Sequence, residues 1–201
     1  MNLFHPIALA LLALSFSGKP APAPVAPVKT DTSANQFFLS PKTEDQEFIP
    51  WTPQSRLSWE DFQCSPKRGT DAVASTSTSL GIAYQVTDGQ LTYHITCNFS
   101  KAKSWGLMKT DYILAHEQGH FDITEIFARK LHESLQNYTF NKKSFRRDIN
   151  DIYQAIVQQK EEYQKMYDEE SDHSRNRNLQ YEWLERIQTL LRETEAYAEY
   201  P

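Results

Sequence analysis

Proline is absent from residues 67 to 200, and the last glycine is Gly119. From His120 to Tyr200 neither breaker occurs, so helices there end only at polar caps and turns, and the spacing predicts long ones. The apolar pattern marks three, at residues 111 to about 137, 144 or 148 to about 166, and 179 to about 198. In the first, Ile113, Leu114, Phe121, Ile123, Ile126 and Leu131 spread round most of the circumference, which predicts a central, buried helix. The other two carry Glu, Gln, Lys and Arg on wide faces and should pack on it from outside.

The segment before the helices has a different period. Leu80, Ile82, Tyr84 and Val86 alternate with smaller or polar residues, and so do Leu91, Tyr93, Ile95, Cys97 and Phe99. Asp88-Gly89 between them favours a type I′ turn joining antiparallel strands. That register pairs Tyr84 with Tyr93 and Ile82 with Ile95 on one face. A further strand is expected around residues 72 to 79. The implied class is α+β: a small antiparallel sheet, from about Leu57 to Phe99, packed on a central helix that later helices cover.

At the other end, residues 7 to 14 read IALALLAL, followed by Ser15-Phe16-Ser17. This short apolar run with a small-x-small site predicts a signal peptide over residues 1–17, although Met1 to Pro6 lacks Lys and Arg. The run is too short for a membrane span, which needs roughly 20 apolar residues. Pro20, Pro22, Pro24 and Pro27 make residues 18–47 an extended Pro/Ala-rich linker, leaving one domain over residues 48–201. The expected location is the periplasm or the outside of the cell. An exported chain with two cysteines, Cys64 and Cys97, is expected to join them in a disulfide. A net charge of −5 lacks the basic footprint of a nucleic-acid binder.

The central helix carries His116-Glu117-Gln118-Gly119-His120, an HExxH pattern. Two histidines four positions apart lie on one helix face and can meet one zinc ion at about 2.0–2.1 Å. Glu117 lies beside them, placed to act as a general base on water activated by the metal. Gly119 costs the helix about 1 kcal/mol relative to Ala, which predicts the close approach of another backbone, such as a strand.

A catalytic zinc usually has three protein ligands and one open position. The extension HExxHxxGxxH fails here, because positions 123 and 126 are both Ile. Glu125 and His132 fall on the opposite side of a continuous helix, so Glu125 reads as a structural carboxylate and His132 as solvent-facing. His94 falls on the outer face of the hairpin. His173 is therefore the preferred third ligand, with Asp168, Glu169 and Glu170 as rival oxygen donors. Tyr167 could donate a hydrogen bond to a developing oxyanion.

Residues 116 to 123 (HEQGHFDI), Leu57-Ser58-Trp59-Glu60-Asp61-Phe62, Ser104-Trp105, and a Tyr-Asp-x-x-Ser-x-His segment followed by Gln180 and Trp183 resemble a bacterial domain-of-unknown-function family described as predicted secreted zinc-dependent proteases. That family usually has Thr and Gly where this chain has Ser171 and Ser174. The resemblance implies a zincin-like metalloprotease domain. The expectation is thus a secreted, zinc-dependent metallohydrolase acting on a peptide or protein substrate. The rivals are a non-catalytic envelope or binding protein with a structural zinc site, and a zinc amidase acting on cell-wall peptides. Glu117 discriminates the first rival, since a structural site needs four protein ligands and no free carboxylate.

Overall fold

The computed structural model describes residues 47–67 and 69–201. The expected signal peptide and nearly all of the expected linker lie outside the described residues.

Asp88 and Gly89 both have positive φ, 54° and 77°, as a type I′ turn requires. They join β3 (Thr78–Thr87) to β4 (Gln90–Ser100), with Tyr84 opposite Tyr93 and Ile82 opposite Ile95, the register read from the sequence. β1 (Phe48–Pro50) pairs antiparallel with the other edge of β4. β2 (Ala74–Ser75) and β5 (Trp105–Gly106) form a separate antiparallel pair. The sheet does not begin at Leu57: residues 57 to 62 form a loop with a short 3-10 turn, Trp59–Asp61. The Ser58 N–H and hydroxyl both donate to Asp61 Oδ2 at 2.9 Å, which closes that turn and denies the backbone a strand partner.

On β4, Ile95, Cys97 and Phe99 turn inward, while Thr92 and His94 stay exposed. Against this face packs α1 (Asp111–Gln136), whose first turn is capped by Thr110 Oγ1 accepting from Ile113 N. Every residue from 121 to 129 is buried, so this middle stretch of α1 is enclosed on all sides, as its wide apolar surface predicts. α2 (Phe145–Glu170) and α3 (Arg177–Glu193) cover it from outside with narrower buried stripes. The architecture is α+β, with small antiparallel sheets and three helices.

The turn from α2 to α3 holds three consecutive non-glycine residues at positive φ: Asp172, His173 and Ser174, at 50°, 50° and 70°. Such a conformation costs L-residues roughly 1–2 kcal/mol each. It is held by Asn176 N–H donating to Ser171 O at 2.9 Å and His173 N–H to Asp168 O at 2.7 Å. The Tyr112 hydroxyl ties it to α1 by donating to Ser174 O at 2.7 Å.

Two further expectations are corrected. Cys64 and Cys97 are free thiols, because Cys97 points from β4 into the core while Cys64 lines a cleft on the surface. His132 is buried rather than solvent-facing. Its Nδ1 lies 3.0 Å from the Tyr93 hydroxyl, its Nε2 lies 2.8 Å from Gln136 Nε2, and burial lowers its pKa.

Candidate metal centre

The one face of α1 left open to a cavity is the face that carries the histidines. Each motif residue has a separate task. The Gln118 side chain accepts from Leu57 N at 2.9 Å and donates to Asp122 Oδ1 at 2.9 Å. Asp122 also receives the Trp51 indole N–H at 2.9 Å, so the incoming loop is pinned along the helix. Phe121 enters the core beside Phe99. His116, Glu117 and His120 line the cleft.

Both imidazoles are oriented from behind by amides of other helices. Gln180 of α3 accepts from the Nδ1–H of His116 at 2.8 Å. Gln164 of α2 accepts from the Nδ1–H of His120, and its Nε2 donates to His120 O at 2.9 Å. A hydrogen bond on Nδ1 leaves Nε2 for a ligand. The two Nε2 atoms lie 3.3 Å apart, and Asp168 Oδ1 lies 3.1 Å from each. Three electron-pair donors this close require a cation among them, a shared proton or a metal ion. Tetrahedral ligands at about 2.0–2.1 Å from one zinc stand about 3.3 Å from each other, so the donor triangle fits that ion. His116, His120 and Asp168 are the set that could hold a metal among the described residues.

The ordinary chemistry of these groups is displaced accordingly. Burial alone would raise the Asp168 pKa, but hydrogen bonds from His116 and His120 and the charge on the rings outweigh it and hold the carboxyl well below its usual range. Burial would lower His120, but the Asp168 bond and charge outweigh it and raise the ring. Glu117 is buried, lines the cleft and makes no side-chain hydrogen bond or ion pair among the described residues.

His173 stands outside the triangle. Its Nδ1 is 3.7 Å from Asp168 Oδ1 and its side chain is 59% exposed at the cleft edge. Glu169 is exposed beside Lys165, and Glu170 accepts from the Trp183 indole at 2.9 Å. Tyr167 is not free to serve an oxyanion: it is fully buried, stacks on the His116 ring at 4.5 Å and donates its hydroxyl to His116 O at 3.3 Å. It also explains Gly119. A Cβ there would lie 2.6 Å from the Tyr167 oxygen, so the close approach is by a side chain of α2 rather than by a strand backbone. The sequence reading assigns no site role to Gln164 or Gln180. Two signals were available: Gln180 is among the residues that carry the family resemblance, and Gln164 stands four positions before Asp168 on the same helix face.

The cleft encloses about 850 Å³. It is lined by residues 72–78, including β2, by residues of α2 from Lys160 to Asp168, and by His173 and Ser174 of the turn that follows. No helix among the described residues is long and apolar enough to cross a membrane.

No curated protein and no solved structure matches the chain. A family model described as "Bacterial protein of unknown function (DUF922)" matches residues 39–174, a span that contains His116, Glu117, His120 and Asp168 and stops short of α3. With well over half of its length matched, the chain belongs to that bacterial family.

Proposed function

We propose that this protein is an exported zinc-dependent hydrolase that cleaves amide bonds in peptides. The observation that carries the reading is the donor triangle of His116, His120 and Asp168 beside the unpaired, buried carboxylate of Glu117 in an open cleft. Three protein ligands and an open side are the pattern of a catalytic site, whereas a structural zinc is closed by four. When bound, the ion supplies Lewis acidity and lowers the pKa of water toward about 7.

The chain does the rest. Glu117 takes the proton of the attacking water and passes it to the leaving amine. Gln180 and Gln164 keep both imidazoles in the tautomer that presents Nε2. Tyr167 fixes the spacing between the His116 turn and α2, and thereby the position of Asp168. Among the described residues β2 has a strand partner on one edge only, and its segment borders the cleft, which suits an extended peptide lying alongside it. Together with the resemblance to predicted secreted zinc proteases, this supports a zincin-like assignment by analogy.

Zinc content and cleavage of a mixed peptide library, compared between the wild-type protein and Glu117→Gln, test the reading. One zinc per chain is expected in both, with hydrolysis reduced about 10²- to 10⁴-fold in the variant. Zinc in both proteins with no peptide cleaved by either would overturn the peptidase reading and favour a structural metal site.

A further inference from the structure

In a chain of net charge −5, the cleft is lined among the described residues by three ammonium groups: Lys67, Lys103 and Lys160. The carboxylates facing them are Glu117 and Asp168, both committed to the metal centre, and Glu161. Lys67 and Lys103 are exposed, but Lys160 is only 7% exposed. Lysines are seldom buried without a partner, because removing an ammonium from water is costly. Among the described residues the ion-pair partner of Lys160 is Glu161, 2.8 Å away, whose side chain is 65% exposed. An ion pair with one half in solvent contributes little and is readily exchanged.

Lys160, Gln164 and Asp168 form one stripe of α2, four residues apart, and all three line the cleft. Lys160 therefore stands about 12 Å along the helix from the metal ligand. An extended peptide advances about 3.3 Å per residue, so a group reaching Lys160 belongs to a residue two to four positions from the bond at the metal. Residues 72–78, which also line the cleft, carry mostly small side chains, among them Ala72, Ala74, Ser75 and Ser77.

We propose that the cleft selects peptides carrying an Asp or Glu side chain a few residues from the cleaved bond, and that Lys160 receives that carboxylate in exchange for Glu161. This rests on the hydrolase reading above and names its substrate class. Within the partly enclosed cleft a charge-assisted bond is stronger than the solvent-facing pair it replaces.

The test uses zinc-loaded protein and peptides identical except for Glu, Gln, Asp, Asn or Ala at one position on either side of the cleaved bond. The kcat/KM ratio of acidic to amide peptide is compared for the wild type, Lys160→Met, which keeps the aliphatic volume, and Lys160→Glu. Binding of the same peptides to Glu117→Gln is followed by fluorescence anisotropy. The wild-type ratio should be about 10- to 100-fold, the span of one charge-assisted hydrogen bond, and should fall as salt is raised. It should approach one in Lys160→Met and invert in Lys160→Glu. A wild-type ratio near one, with peptides cleaved, overturns the acidic selection and leaves the hydrolase intact. Acid-selective binding with no cleavage overturns the hydrolase and leaves the selection intact. A preference that survives in Lys160→Met removes Lys160 from the role.

Discussion

The Tyr167 ring lies 4.5 Å from the His116 ring at an interplanar angle of 26°, and its edge fills the space that a side chain at Gly119 would need. At this point helix α2 is seated on α1 through the Tyr167 ring, and Asp168 follows it directly.

Gly119→Ala should therefore destabilise the protein although Ala is the better helix former by about 1 kcal/mol. The new Cβ meets the Tyr167 oxygen at 2.6 Å and two ring carbons at 3.0 Å, in a ring with no room to move. Overpacking of this kind costs about 1–3 kcal/mol, and pushing α2 outward would also shift Asp168 and weaken zinc binding. Urea unfolding and a chelator-competition zinc titration check both effects. Tyr167→Phe in the same chain should recover part of the loss, since it removes the nearest atom. A variant as stable and as tight for zinc as the wild type would contradict this packing.

Asp168 and His173 make different demands on the ion. With Oδ1 3.1 Å from both imidazole Nε2 atoms, Asp168→Ala should reduce zinc affinity about 100-fold or more. His173, 3.7 Å from that oxygen and largely exposed, should cost about tenfold or less when changed to Ala, as a partner that orients the carboxylate. Competition with a chromogenic chelator ranks the two. The reverse order would move His173 into the ligand set.

The raised His120 and depressed Asp168 give the metal-free protein a definite pH dependence. A raised histidine stabilises the fold fully below its unfolded value of about 6.5, and that contribution is lost as pH rises through its folded value. A depressed aspartate stabilises above its unfolded value of about 3.9, and that contribution is lost as pH falls through its folded value. The Tm of chelator-treated protein should therefore decline as pH rises above about 7, whereas zinc affinity, which needs neutral imidazole, should rise over the same interval. Thermal melts with and without zinc across that range show whether the two trends oppose each other. Parallel trends would exclude a protonated His120 beside Asp168.

Much of this was legible in the sequence wherever the determinant is local. The Asp88-Gly89 turn fixes the hairpin register by itself, and the four-residue spacing of His116 and His120 fixes their common face. The apolar pattern ends α2 about a turn too early, near residue 166, because the acidic run after Tyr167 carries no apolar period. Burial of Tyr167 against His116 and Trp183 carries the helix on to Glu170, and that added turn is what delivers Asp168. His132 differs for a related reason: helical phase puts it on the side opposite the motif histidines, but does not show that Tyr93 of β4 covers it. Gln164 and Gln180 meet the histidines 44 and 64 residues away in sequence, contacts set by helix docking that no spacing rule expresses.

The far side of α1 offers a test that separates folding from chemistry. Arg129 Nε donates to Glu125 Oε1 at 2.8 Å, with both side chains almost wholly buried. Its Nη1 reaches Leu191 O at 2.7 Å, its guanidinium lies over the Trp51 ring at 5.1 Å, and the Tyr200 hydroxyl donates to Glu125 Oε2 at 2.7 Å. Burial already raises the Glu125 pKa against these partners. Arg129→Met would leave that carboxylate with only the Tyr200 hydroxyl and the Cys97 thiol, and breaking a buried pair costs about 3–5 kcal/mol. Glu125→Gln added to Arg129→Met should restore part of it, because the stranded charge is gone. Glu125 is nine residues from His116, half a turn round the helix, so zinc affinity of the folded protein should change less than about twofold in either variant. Urea melts of the metal-free variants and chelator titrations at a temperature where they stay folded measure the two quantities separately. A large fall in zinc affinity with little loss of stability would reverse the assignment and make this pair part of the metal centre.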